Sequence, residues 1–252
     1  SSPSNFEEVL QKVQPSVTED MNAMLLCQFN REEIEIAMKQ MVPIIASSPD
    51  GMPPLLFQSF WSTVGVDVYS TVPDCLQNYK IPTNINRTYI ALIPKIKSPE
   101  SIFEYCPISL YSVIYKLVSK VLTNRLKNIL PSVISENQSA FQVGRVITDN
   151  ILVAFETLHY MKHHQTGRSG FMALKLDMSK PYDRVEWKFL ELMMKRMGFV
   201  DRWVALMMEC ISSVSYSILI NGEPSAPIHP TIGIRQGDPL SPYLFLFCTE
   251  SF

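Results

Sequence analysis

Three features of the 252-residue sequence predict an α+β fold, helix-rich with a small antiparallel sheet. Apolar residues recur at helical spacing, as at Ile34, Ala37, Met38 and Met41. A β-rich run, Arg87–Pro94, ends at a proline. Asn221-Gly222 stands between two strand-like runs, Ser215–Ile220 and Ala226–His229, and marks a hairpin. At 46% hydrophobic content the chain has enough apolar material for one large domain or two small ones.

The elements follow in order. Residues 1–80 read as helical. Asn30, with Glu33 three residues on, makes a capping box at the start of one helix. Ser48-Pro49-Asp50-Gly51 has turn chemistry. Leu55–Val72 reads as an amphipathic helix with Trp61 on its buried side. Arg87–Pro94 is a strand and Lys95–Tyr105 a polar loop. Ser112–Leu130 is a helix with Val113, Leu117, Val121 and Leu126 on its apolar side, ended by Pro131. Ile147–Met161 is another, capped by Thr148 or Asp149, and a flexible loop from His163 to Gly170 follows. Phe171–Leu176 reads as a strand that carries Asp177 to its end. Helices over Trp187–Met197, ended by Gly198, and Trp203–Ile211 precede the hairpin. The last helix starts at Asp238-Pro239, an N-cap followed by proline at the first helical position. Internal repeats and low-complexity tracts are absent from the sequence.

Five scattered cysteines with no close pair argue for a reducing compartment and against a disulfide framework or zinc site. The sequence has no signal peptide and no uninterrupted membrane-length apolar run, so no membrane partner is expected. His163 and His164 read as a polar helix end, and the methionines of 193–208 as core filler. The net charge of −2 conceals a gradient. Residues 1–86 carry 4 basic and 10 acidic side chains, residues 87–145 carry 8 and 3, and residues 146–252 carry 10 and 11. The basic middle block suggests a phosphate-facing surface.

The chemistry concentrates in two blocks. Leu176-Asp177 is followed by Tyr182-Asp183-Arg184. A carboxylate at a strand end with an aromatic nearby suits a divalent cation beneath a nucleotide sugar. Fifty residues on comes Gly233-Ile-Arg-Gln-Gly-Asp-Pro-Leu-Ser-Pro242. Together these blocks resemble reverse transcriptase of the non-LTR, LINE-type retrotransposon kind common in plants. Ile90–Lys95, Pro107–Leu110, Tyr115-Lys116 and Gln138–Arg145 resemble further blocks of the same family.

The resemblance implies a right-hand polymerase: a helical N-terminal extension over 1–80, fingers over 81–170 and a partial palm over 171–252. It implies RNA-directed DNA polymerase activity with Mg²⁺ (or Mn²⁺), an RNA template, a DNA primer or target and dNTPs. An endonuclease domain upstream in a parent polyprotein, and a nuclear and cytoplasmic location, belong to the same inference. Asp177 matches the catalytic, metal-binding acid and Tyr182 the aromatic that excludes a 2′-hydroxyl. Lys95, Gln236 and Gly237 match nucleotide contacts, while Arg145, Lys116 and Arg235 match template or phosphate contacts. Asp183 is open between capping the next helix and touching metal. Gln236 is expected across a cleft from Asp177.

Three positions depart from the family pattern. Cys106 stands where the family has a phosphate-gripping Arg, Pro181 replaces Ala, and Ile232 replaces Arg. The family's Ala-Asp-Asp block is absent from the sequence. The chain is therefore expected to be a piece of a longer polyprotein, inactive alone and drawn from a decaying copy of the element. A non-catalytic nucleic-acid-binding relic is the alternative.

Overall fold

The computed structural model of the chain describes residues 6–44, 48–142, 144–164 and 171–251. The N-terminal part holds α1 (Phe6–Leu10), α2 (Glu19–Leu26), α3 (Arg31–Lys39), α4 (Pro54–Ser59) and α5 (Trp61–Gln77). The capping box at α3 is present: Asn30 Oδ1 accepts from the Glu33 amide at 2.9 Å and Glu33 Oε2 from the Asn30 amide at 3.2 Å. The helix expected over Leu55–Val72 is split, because Phe60 leaves helical dihedrals at φ −110°, ψ 27°. An apolar stripe does not register a one-residue break. Trp61 is half-buried, its Nε1 donating to the Tyr69 hydroxyl at 3.1 Å.

A mixed sheet follows. Strand β1 (Arg87–Pro94) pairs antiparallel with β2 (Tyr105–Tyr111), Thr88 facing Tyr111 and Pro94 facing Tyr105. It pairs parallel with β3 (Ser215–Ile220), which turns back into β4 (Glu223–Pro224), so the order is β2-β1-β3-β4. Asn221 and Gly222 hold φ of 51° and 87°, the left-handed pair that a two-residue hairpin turn needs. β2 had no strand signal of its own, because Pro107 interrupts it. The proline is tolerated in this strand, which lies at the sheet edge.

Helix α6 (Val113–Val133) is the centre of the core, with Leu117, Leu122 and Leu126 fully buried. Ser112 caps it, accepting from the Tyr115 amide at 3.1 Å. Pro131 does not end it. The proline falls in the final turn, where only one backbone hydrogen bond is lost, and the helix runs on to Val133. Helix α7 (Ile147–His163) starts from Val146, so Thr148 and Asp149 lie inside its first turn. Residues 165–170 of the expected flexible loop lie outside the described residues. Helices α8 (Trp187–Met197) and α9 (Asp201–Ser212) are joined at Gly198, φ 98°. Helix α10 (Ser241–Thr249) begins two residues later than expected. Asp238 does not cap it. Its carboxylate instead accepts from the Leu240 amide at 2.9 Å, which folds a tight turn before the helix.

The N-terminal helices share this core. Met197 O accepts from the amides of Ser16 and Val17, and Asn22 bridges Gly198 O and the Val200 amide. Arg125 of α6, 5% exposed, donates to both Glu33 carboxylate oxygens at 2.9 Å and to the carbonyls of Leu25, Cys27 and Gln28. Its guanidinium lies 3.6 Å from the Phe29 ring centroid.

One expectation fails outright. Phe171–Leu176 is not a strand: residues 171–178 form no regular element and are exposed throughout, with Met172 at 86% and Leu176 at 76%. A strand exists only in a hydrogen-bonded ladder, and this segment has no ladder partner among the described residues. Its apolar run is real, but a ladder partner is missing among the described residues. Among the described residues no helix is long and apolar enough to cross a membrane.

Candidate active site

The two motif blocks, fifty residues apart, meet. Residues Pro181–Arg184 form a short 3-10 turn. The Ile234 amide donates to Tyr182 O at 2.9 Å and the Gly233 amide to Val185 O at 2.8 Å. Trp187 Nε1 fastens the other side, donating to Gly233 O at 2.6 Å. Only glycine suits position 233. Its φ is +87°, and a Cβ there would stand 3.2 Å from Asp183 O. Pro181 opens the 3-10 turn, where its missing N–H is no loss, so the departure from Ala fits the observed backbone.

Between the blocks lies an open cavity of about 280 Å³. Ile90, Pro107 and Ser109 of β1 and β2 form one wall, and Tyr216 of β3 contributes a hydroxyl. Asp183 comes from the 3-10 turn, and Ile232 to Gln236 from the loop. Asp183 does not cap α8, whose N-cap is Glu186. Burial holds the Tyr216 hydroxyl above its usual range, while the nearby Arg235 guanidinium pulls the other way. The wall thus offers a carboxylate, a carboxamide and two hydroxyls around apolar surface, which is how small-ligand sites are built.

Beneath the loop is a buried polar network. Arg235 points inward, 5% exposed, and pairs with Asp238 at 3.3 Å. It also donates to Asn86 Oδ1, and its guanidinium lies 4.5 Å and 4.3 Å from the Tyr111 and Tyr115 ring centroids. Asp238 accepts from the Ser119 hydroxyl, and the Tyr111 hydroxyl donates to Gly237 O at 2.8 Å. Desolvation keeps both tyrosine hydroxyls protonated. Consecutive residues therefore divide the work: Arg235 and Asp238 anchor the loop inside, while Gln236 and Gly237 stay exposed. Nothing lies within 4 Å of a Cβ built at Gly237, so the backbone there is open to close approach.

The other sequence-derived candidates scatter. Asp177 is exposed in the 171–178 coil and is not on the cavity wall, where Asp183 stands across from Gln236 instead. Tyr182 is half-buried against Phe245, ring centroids 5.4 Å apart. Lys95 is exposed and its ammonium donates to Phe103 O at 3.1 Å. Arg145 Nη1 donates to the carbonyls of Ser135 and Gln138, which ties down the loop after α6. Lys116 is 6% exposed, lies 4.9 Å from the Tyr111 ring centroid, and has its pKa lowered by burial. Arg235 and Lys116 thus face the interior, not a template. Both were read as surface cations because charge in a sequence says nothing of which way a side chain turns. Ser109 lay inside a motif block, but Tyr216 had no motif signal; only strand alternation could have pointed to it.

A divalent cation is tested poorly by these residues. Among the described residues no three His, Cys, Asp or Glu side chains gather. Mg²⁺ needs hard oxygen ligands in near-octahedral array, and neither Asp177 nor Asp183 has an acidic neighbour there to share one. The described residues do not by themselves fit the ion.

A cleft thus lies between a β-sheet wall and a glycine-pinned loop, and similarity to known proteins says what family carries it. A family model described as Reverse transcriptase (RNA-dependent DNA polymerase) matches residues 93–252. The chain belongs to that family, whose members generally use divalent metal ions and act on nucleic acid. It is 31% identical over 251 residues, its whole length but 19% of the relative's, to the uncharacterised 149 kDa protein of transposon TX1 of Xenopus laevis. It is 26% identical over 202 residues, 78% of this chain and 18% of the relative, to the Pol polyprotein of the type-2 retrotransposable element R2DM of Drosophila melanogaster. An uncharacterised mitochondrial protein of Arabidopsis thaliana shares 62% identity over 32 residues, 13% of this chain and 26% of that protein. The chain spans about a fifth of the length of the first two relatives.

Proposed function

We propose that this chain is the fingers and part of the palm of a non-LTR retrotransposon reverse transcriptase, an RNA-directed DNA polymerase in its intact parent. The observation that carries the reading is the meeting of Tyr182–Val185 with Gly233–Gln236 around one cavity. Two blocks that separately resemble the family are thereby brought to one cavity, as a shared ligand site requires. The ligand is a deoxynucleoside triphosphate, with Gln236 and Gly237 beside the new base pair and Tyr182 beside the sugar. An RNA template and a DNA primer or target run past the sheet wall, and Lys95 is free to reach a phosphate with its remaining donors.

Asp177 contributes one carboxylate toward Mg²⁺ (or Mn²⁺) in the parent, in a site completed by groups outside the described residues. The chain alone is expected to incorporate no nucleotide, and template-dependent primer extension by it would overturn that. The parent is a plant element with an endonuclease domain upstream, working in nucleus and cytoplasm. The short stretch of high identity to an Arabidopsis protein supports the plant source.

A second reading, a nucleic-acid-binding relic, is favoured by Cys106, which leaves a phosphate-gripping position of β2 uncharged. One experiment separates the two. Binding of an RNA/DNA primer-template is measured with and without Mg²⁺ and the dNTP matching the next template base. The polymerase reading expects the matching dNTP to tighten the complex more than a mismatched one. Salt-dependent binding indifferent to both additions belongs to the relic.

A further inference from the structure

The hairpin between β1 and β2 carries a ring that the described residues leave open. Phe103 is 74% exposed. It is nevertheless held firmly. Glu104 accepts from the amides of Glu100 and Ser101, Ser101 Oγ accepts from the Phe103 amide, and the Lys95 ammonium holds Phe103 O. The Lys95 amide closes the hairpin on Glu104 O at 2.7 Å.

Lys180 reaches this ring from the opposite segment. Its ammonium lies 5.6 Å from the Phe103 centroid. Lys180 adopts φ 49°, ψ 59°, a left-handed conformation that disfavours a side chain. The pair follows the cavity's own segments. Phe103 lies four residues before Pro107, and Lys180 three before Asp183.

Charge complements the ring. Lys95 and Lys97 share the hairpin with it. Of the two acids there, Glu104 is turned onto backbone amides, which hold its carboxyl below the usual range, and Glu100 is exposed. An open aromatic face with ammonium groups at its edge matches one ligand chemistry well: a base to stack and a phosphate to pair. A protein surface would supply no repeating anion for those cations.

We infer that Phe103 and Lys180 form a stacking contact for a base of single-stranded nucleic acid entering the cleft. The occupant rests on the polymerase reading; the contact itself rests on the exposed ring and the cation above it. The ring faces the base, and the Lys180 ammonium meets the adjoining phosphate.

The test is a fluorescence-anisotropy titration of labelled single-stranded RNA with the 252-residue chain. Phe103→Ala is expected to weaken binding about tenfold and Phe103→Trp to restore it to within about twofold. Lys180→Gln is expected to lower the salt slope by about 0.7. Thermal unfolding of all three should match the wild type, since neither side chain is buried. Phe103→Ala binding like wild type, or Ala and Trp variants losing affinity equally, overturns the stacking contact alone. A wild-type chain with no affinity for RNA overturns both this contact and the polymerase reading.

Discussion

Position 235 shows how far a motif can mislead about a single residue. In a family block an arginine beside glutamine and glycine reads as a phosphate contact, yet here it is buried between two tyrosine rings and paired with Asp238. A buried ion pair is weak evidence of net stability, but removing one partner leaves the other charged in a dry interior. Arg235→Ala is therefore expected to destabilise the chain by about 3–5 kcal/mol, read as a fall in the denaturant midpoint. Arg235→Met with Asp238→Asn should lose less than the two single changes summed, because the orphaned charge is gone. Strict additivity would mean the two side chains do not act as a pair. Gln236, one residue on, matches a nucleotide contact by resemblance, and its side chain is exposed beside a left-handed glycine.

The elements were legible in proportion to how local their causes are. Arg87–Pro94 and the Asn221-Gly222 turn came out at the expected residues because propensity and turn chemistry act within a few positions. The capping box of α3 did so for the same reason. Phe171–Leu176 did not, because a strand is a property of its partner as much as of its own side chains. The role of Arg125 was also invisible, because its partners are about a hundred residues away in the sequence. Removing that clamp, Arg125→Ala, should destabilise by about 2–3 kcal/mol through lost charge-assisted hydrogen bonds. Hydrogen exchange should then show α2 and α3 amides opening faster while those pairing β1 with β2 are unchanged. Uniform acceleration across both regions would mean that Arg125 supports the whole core and not the N-terminal helices in particular.

Across the whole molecule the N-terminal helices, the sheet and the α8–α10 layer share one core, and the thiols report on it. Burial pushes Cys75 up to about 11 and Cys248 up to about 12, and Cys210 is fully enclosed. Cys27 is exposed and Cys106 half-exposed. Iodoacetamide near neutral pH is expected to label Cys27 and Cys106 and to reach the other three only in denaturant. Labelling of a third site in the native chain would show the core to be open. The fold exists, on this view, to hold a β-sheet wall against a glycine-pinned loop and so enclose a nucleotide. That is tested most directly by ultraviolet crosslinking of 4-thio-dUTP to the chain on an RNA/DNA primer-template, with adducts mapped by mass spectrometry. Adducts within residues 107–109, 182–185 or 232–237, reduced by Gln236→Ala, are the expected result. Adducts confined to other surfaces, or adducts there that Gln236→Ala leaves untouched, would contradict it.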